Sequence, residues 1–393
     1  MVEAVTRDPH DPERLAWLRL ARSRGLGATM FFRLIERYGK AQAVLRALPK
    51  LEAKLAVKGF ALASEASVLD EIAALERLGG VHLTADEPGY PPALRNIADP
   101  PPVLTLVGRT ELLAAWAVAV VGARNASGNG RFLATQLARE ISGRGLTVVS
   151  GLARGIDTAA HQGGLGGEGS TIAVLGSGLD VVYPPENGEL HARIAAEGLL
   201  VSERAPGTPP LARHFPRRNR IIAGLASAVL VVEAASRSGS LMTARLAAAE
   251  GREVLAVPGS PLDPRHAGTN QLLRDGAALV TSIEDVMAAL PDWATQPVKA
   301  TARPATRVEA APRKPPPAPA SASPDAASDG SARASGTLPD HIATLLGVEP
   351  MPVDEVIRQC HASPSAVQNA LLDLELDGRL KRHPGNRISR ALA

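Results

Sequence analysis

The run HFPRRNR, residues 214–220, sets three arginines and an asparagine beside one phenylalanine and leads straight into the apolar IIAGLASAVLVVEAA. Arg204 and Arg213 lie just upstream, and RAPGTPPLARHFPRRNR, residues 204–220, contains no acid. A guanidinium keeps its charge and forks onto phosphate oxygens, and a phenylalanine among arginines can stack on a base, a contact worth roughly 1–3 kcal/mol in single-strand binders. A charge run is otherwise a solvated face, so its neighbours decide between the two.

Those neighbours are glycine-rich turns, each at the end of a strand-like run. VAVVGARNASGNGR, from residue 118, offers Gly122, Gly128 and Gly130 for close backbone approach, with Arg124 and Ser127 in the turn. A helix that starts there aims free N–H groups and a positive dipole end at an anion. GLARGIDTAAH, residues 151–161, repeats the pattern with Gly151, Gly155 and Arg154; Asp157 could cap the helix that carries His161. No nucleophile accompanies His161, which reads equally as a buried or capping histidine. AVLGSGLDVVYPPENGEL, from 173, adds Tyr183, a core residue or a base-stacking one. In VVEAASRSGSLMTAR, from 231, Ser238, Gly239, Ser240 and Thr243 stand where a helix N-terminus would cradle a phosphate. A nicotinamide or flavin cofactor is disfavoured, because LTVVSG ends in Ser150 and Gly151 where a ribose-binding acid belongs.

The elements that must position these residues follow from periodicity. VLTLVG (103), AVAVVG (117), LTVVSG (146), TIAVLG (171), GLLVSE (198), AVLVVEA (228), EVLAVPG (253) and AALV (277) are short strand candidates. Several are apolar throughout, as a sheet covered on both faces requires, and they alternate with helical stretches. This predicts an α/β, doubly wound, mostly parallel Rossmann-like sheet over residues 81–290. Loops at the carboxyl ends of such strands gather on one rim, where ligands bind. The cationic segment, read as an extended loop, belongs to that rim.

Residues 1–80 show helical periodicity, with Gly25 and Gly27 in a turn that is either a phosphate-contacting helix-hairpin-helix or a plain capped turn. Residues 291–336, rich in Pro, Ala and Ser, read as a linker. Residues 337–393 outline a winged helix of three amphipathic helices and a basic hairpin, Ser363 capping the third helix and Pro364 taking its first position. That helix carries Asp373, Glu375 and Asp377, which repel phosphates, whereas Arg379, Lys381, Arg382, Arg387 and Arg390 sit in the hairpin. A protein contact, or a backbone contact from the wing, is expected in place of groove reading.

The chain has 393 residues, 45% of them apolar and 3% aromatic, and a net charge of +3. Its one cysteine, Cys360, supports neither a disulfide framework nor a multi-cysteine zinc site. The start MVEAVTRDPHDPER has no apolar leader region, and no apolar run reaches the roughly 18 residues of a membrane span. A cytoplasmic protein without metal or cofactor is expected.

In order, GARNASGNGR, SGLARGIDTAAH, AVLGSGLDVVYPPENGEL, SERAPGTPPLARHFPRRNRIIAGLA, VVEAASRSGSLMTARLAAAEGREVLAVPG and GTNQLLRDGA resemble the DNA-processing protein A (DprA/Smf) family. The flanks agree, since many members have a helical, sterile-alpha-motif-like N-terminal domain and a winged-helix C-terminal one. The resemblance implies a non-enzymatic single-stranded DNA-binding protein of natural transformation. Such a protein shields the incoming strand, helps to load the RecA recombinase and forms homodimers through the Rossmann-like domain. It implies a DNA pocket with Arg124 in its GxR turn and a second wall at Phe215, Arg217, Arg218, Asn219 and Arg220; Gly122, Ser127, Gly151, Arg154 and Ser240 join as pocket loops.

Two other classes remain. The sheet also resembles nucleoside-monophosphate phosphoribohydrolases, whose PGGxGTxxE motif carries a catalytic Glu; the matching stretch RSGSLMTAR has no acid at that spacing, and Glu250 is too far along. A transcription regulator acting through the winged helix is opposed by its acidic third helix.

Overall fold

The structure, a computed structural model, describes residues 8–55, 60–290, 338–346, 351–360, 364–383 and 387–391. The expected linker and the Ser363 cap lie outside the described residues. The elements of the larger part run α1 (Pro12–Arg22), α2 (Ala28–Tyr38), α3 (Ala41–Leu55), α4 (Glu65–Arg77), β1 (Gly80–Thr84), α5 (Pro92–Arg95), β2 (Val103–Gly108) and β3 (Ala117–Val121). Then come α6 (Gly128–Gly143), β4 (Thr147–Ser150), α7 (Ile156–Gly164), β5 (Thr171–Leu175), α8 (Gly188–Glu197), β6 (Leu199–Ser202), α9 (His214–Leu225) and β7 (Ala228–Val231). α10 (Ser240–Ala249), β8 (Glu253–Ala256), α11 (Ala267–Arg274), β9 (Ala278–Leu279) and α12 (Ile283–Ala288) complete it.

The nine strands form one sheet in the order β1-β2-β6-β5-β4-β3-β7-β8-β9. From β6 to β9 every pairing is parallel, while β1–β2 and β2–β6 are antiparallel. The chain winds outward from β3 through β4, β5 and β6, then returns to lay β7 against the other side of β3. The switch point therefore lies between β3 and β7, both buried along their whole length. Val118, Val120 and Val148 share a core with Leu137 and Ile141 of α6 and Ile156 and Ala160 of α7, and α9 packs across β3, β4 and β5.

Two features depart from the periodicity. GVHLT was not recognised as a strand, because it is five residues at an edge and carries a histidine; it pairs in register with β2, Gly80 opposite Val107 through Thr84 opposite Val103. HFPRRNR, expected as an extended loop, is the first half of α9. Pro216 falls in the first turn, where its missing N–H costs nothing. The buried stripe is His214, Arg218, Ile221, Ile222 and Leu225, and its first two members are polar, so the apolar period begins only about two turns into the helix.

α1 and α4 dock on the antiparallel edge. Trp17 Nε1 donates to the Pro102 carbonyl at 2.8 Å and its ring meets Phe31 edge-on at 4.9 Å. Buried Arg14 donates to the His82 carbonyl and faces Glu87 at 3.8 Å. Arg22 forks onto Glu71 and reaches the Glu203 carbonyl at 3.0 Å. Between α1 and α2, Gly25 takes a positive φ of 86° and Gly27 precedes α2 without a side-chain cap.

The smaller unit comprises α13 (Leu338–Leu345), β10 (Met351–Pro352), α14 (Val353–Cys360), α15 (Pro364–Leu376), β11 (Leu380–His383) and β12 (Arg387–Arg390). The strands order β10-β12-β11 around a core that includes Ile342, Val356, Leu371, Leu374 and Ile388. Three helices and a hairpin make the expected winged helix. In the wing, Arg382 is held by Glu375 at 2.9 Å and Arg379 by Asp340 at 3.4 Å, so part of its charge is neutralised within the unit.

Candidate nucleic-acid interface

At the switch point the N-terminus of α6 is already occupied. Ser127 caps the helix, accepting from the Gly130 N–H at 2.8 Å. Its hydroxyl and backbone N–H donate to the Glu233 carboxylate at 2.7 and 3.1 Å. Glu233, in the loop after β7, is fully buried. A Cβ at Gly130 would stand 2.2 Å from its Oε2, so glycine is what lets the carboxylate reach the helix end. A carboxylate at a helix N-terminus satisfies the same N–H groups and dipole that a phosphate would. Ser127 is thus bound to an internal anion, and the expected phosphate cradle at this turn is closed. Glu233 is the residue that sequence reasoning missed; its signal is an acid at the end of an otherwise apolar strand.

The turn after β4 is braced from below. Leu152 has a positive φ of 55°, a costly conformation for a side chain of its size. His161 Nε2 accepts its N–H at 3.2 Å and Asn187 Nδ2 donates to its carbonyl at 3.0 Å. The Thr171 hydroxyl donates to the Val148 carbonyl and so accepts from His161 Nδ1, at 2.8 Å, which fixes a neutral imidazole. Burial depresses its pKa to about 3, with Arg218 adding to the effect. Asp157 accepts from the Gly151 and Ala153 N–H groups at 3.2 and 3.4 Å. His161 and Asp157 shape this turn; Asp157 does so from inside α7 and does not cap it.

α9 divides its arginines. Arg218 points inward, 6% exposed, and donates to the Val174 carbonyl. Its guanidinium fills the space beside Gly151, where a Cβ would fall 2.0 Å from Nη1. Burial lowers the pKa of Arg218 to about 10, opposed by Asp157; burial raises that of Asp157, opposed by Arg218. Arg220 pairs with Glu203 at 2.6 Å and Asp99 at 3.2 Å. Both guanidinium groups are therefore engaged within the protein in this structure. The same loop-to-helix change leaves Arg217 and Arg213 exposed and Asn219 half-buried.

What remains open is an aromatic and cationic ladder over the ends of β3 and β5. Arg124, exposed in the turn after β3, lies over the Phe215 ring at 5.5 Å. Phe215 faces Tyr183 at 5.5 Å, and Tyr183 is 42% exposed. Phe215 rests against Gly176, whose Cβ would be 3.1 Å from its ring, so the β5 turn fixes the platform. Arg204 and Arg217 add charge to one another's surroundings, and burial of Arg204 lowers its pKa. Two neighbouring rings, tilted by 40° and flanked by guanidinium groups, suit alternating bases and phosphates. Gly122 lies against Ile156 and the Glu233 carbonyl, and Gly151 against the Arg218 guanidinium. Arg154 is 63% exposed and paired with Glu186, and Ser240 is 8% exposed, its hydroxyl 2.7 Å from that of Ser238.

On α10, where a phosphoribohydrolase carries its glutamate, SLMTARLAAA has no acid. Glu250 follows the helix and accepts from the Ala98 N–H at 2.9 Å. No helix among the described residues is long and apolar enough to cross a membrane.

Comparison with known proteins agrees with this architecture. The family model described as DNA recombination-mediator protein A matches residues 81–291. A DprA-like N-terminal HHH domain matches 11–74 and a DprA winged helix domain matches 312–386. The DNA processing protein DprA of Streptococcus pneumoniae is 50% identical over 199 residues, 51% of this chain and 70% of that protein. Protein Smf of Synechocystis is 37% identical over 291 residues, 71% of this chain and 73% of that protein. The X-ray structure of the S. pneumoniae protein superposes with a TM-score of 0.58 at 35% identity, covering 70% of this chain and 96% of that one. A Helicobacter pylori DNA processing protein A, solved for its single-stranded DNA binding mode, gives 0.50 at 31% identity over 54% of this chain and 96% of that one. With one family model spanning more than half of the sequence and two more matching its flanks, the chain belongs to the DNA recombination-mediator protein A (DprA/Smf) family.

Proposed function

We propose that this protein binds single-stranded DNA in the cytoplasm during natural transformation, protects the incoming strand and helps to load the RecA recombinase, without catalysing a reaction itself. The ladder of Arg124, Phe215 and Tyr183 carries the reading. Arg124 and Arg217 neutralise backbone phosphates while Phe215 or Tyr183 stacks on a base. Glu233 supports it, because it occupies the α6 N-terminus, where the helix after β3 would otherwise hold a nucleotide's phosphate. A homodimer through the Rossmann-like domain is part of the proposal; β9 ends the sheet with Leu279 52% exposed, an edge on which a second copy can pair.

The test is a gel-shift titration of single-stranded against duplex oligonucleotide, with wild type and Arg124→Ala. Strong salt dependence and preference for the single strand are expected. Equal binding of duplex, or an unchanged Arg124→Ala, would end the reading. RecA loading is checked by strand exchange on DNA pre-coated with single-strand-binding protein, where addition of this chain should shorten the lag.

A further inference from the structure

A groove of about 410 Å³ runs between α6 and α7, beside the ladder and not part of it. Phe132 stands on its lip 72% exposed, although α6 has a buried face of Ala134, Leu137, Ala138 and Ile141 available to apolar side chains. The helices meet closely at the floor: Thr135 Oγ1 donates to the Ala159 carbonyl at 3.2 Å, and a Cβ at Gly163 would stand 2.3 Å from the Thr135 carbonyl oxygen. Arg131, Arg154 and Gln162, all exposed, surround the ring.

We propose that this groove is a second subsite for the same DNA strand, with a base stacked on Phe132 and the adjoining phosphate held by Arg131 and Arg154; this rests on the strand-binding function proposed above. Continuity supports it. Gly155 lines the groove, and a Cβ there would lie 2.3 Å from the Ala123 carbonyl oxygen and 2.6 Å from that of Arg124. The wall of the groove is therefore the back of the turn that presents Arg124. The lining chemistry selects the occupant. A docking helix needs apolar anchors at i, i+3 and i+4, whereas here one ring stands among guanidinium, amide and hydroxyl groups. Glu186 is the opposing charge, but its pair with Arg154 is exposed on both sides, 63% and 48%, and such a pair gives way to a phosphate at little cost.

The experiment uses the full chain and oligothymidylates of about 5 and about 20 nucleotides, lengths chosen to fill one subsite or both. Phe132→Ala removes an exposed ring and leaves the fold alone. It is expected to weaken the long oligomer at least about fivefold and to leave the short one unchanged. Phe132→Trp should keep the long-oligomer affinity, with indole fluorescence quenched by the long oligomer alone. Arg124→Ala should weaken both lengths. If Phe132→Ala binds the long oligomer as wild type does while Arg124→Ala weakens it, the groove is not on the strand's path and the subsite is overturned. If Phe132→Ala changes only the solution mass, the groove is a contact between copies and the subsite is equally overturned. An Arg124→Ala without effect on either length is the separate failure of the strand-binding function.

Discussion

Arg217 and Arg218 are adjacent in sequence and should fail in opposite ways when replaced. Arg218 is 6% exposed, donates to the Val174 carbonyl and compensates the buried carboxylate of Asp157. Arg218→Met keeps most of the aliphatic volume but leaves Asp157 with the Gly151 and Ala153 N–H groups and the Ser150 hydroxyl in place of a countercharge. Breaking one side of a contacting buried pair costs roughly 3–5 kcal/mol, an upper bound here because Arg218 acts on Asp157 as a nearby charge and not through a salt bridge, against the roughly 5–15 kcal/mol that holds a domain folded. Burial already raises the Asp157 pKa, so the stranded carboxyl can take a proton, which places the expected loss near the lower end, about 3 kcal/mol. Arg217 is exposed, so Arg217→Ala should stay within about 0.5 kcal/mol of wild type.

The binding signature reverses the order. Loss of one phosphate contact to a single strand lowers the slope of log affinity against log salt by about 0.7, and this is expected of Arg217→Ala. Urea unfolding followed by far-ultraviolet circular dichroism reads the first quantity; anisotropy of a labelled oligothymidylate across a salt series reads the second. Pairing Arg218→Met with Asp157→Asn should recover at least about half of the lost stability, because no lone charge then stays buried. An Arg218→Met protein that unfolds at the wild-type urea midpoint and has lost the strand would refute the division, since the guanidinium would then lie on the DNA path.

Glu233→Ala leaves Ser127 without its acceptor, an expected loss of about 1–3 kcal/mol; phosphate should raise the variant's Tm more than the wild type's at equal ionic strength, and equal shifts would mean that the α6 N-terminus does not attract anions. The His161 pKa is lowered from 6.5 to about 3, so below pH 6.5 the unfolded chain binds a proton that the folded chain does not, and stability falls as pH falls through that window. The slope from this residue is about 1.4 kcal/mol per pH unit; His161→Gln should flatten the difference in urea stability between pH 7 and pH 5, and an unchanged difference would count against it. Gly155→Ala forces an alanine to a φ of +78° and drives its Cβ into the Ala123 and Arg124 carbonyl oxygens, so stability should drop by about 2 kcal/mol or more, with weaker strand binding from a displaced Arg124; equal Tm and affinity would disprove the coupling of the two turns.

How far the sequence could be read is visible in these same residues. Seven of the eight strand candidates are strands of four or more residues that start at or within one residue of the expected place, because buried strands are short apolar runs bounded by turns; AALV gives only the two-residue β9. β1 escaped because it is short, alternates imperfectly and lies antiparallel at the edge. The Arg124 and Phe215 contact joins residues 91 positions apart; their local context marked each one, while periodicity could not bring them together. Periodic reasoning assigns charged side chains to the surface, so it turned Arg218 outward and took the first half of α9 for a loop. It also passed over Glu233, an acid at the end of a strand. These two inward charges arrange the rest. Glu233 closes the α6 N-terminus to a ligand's phosphate, which removes the site that a glycine-rich first turn would otherwise advertise. Arg218, locked beneath Gly151, sets the rotation of α9, so that Phe215 meets Arg124 and Arg217 is left facing solvent. The proposed binding of an extended polyanion therefore rests on two internal charges: a carboxylate that occupies the N-terminus of α6 and a guanidinium that fixes the helix carrying exposed Arg217.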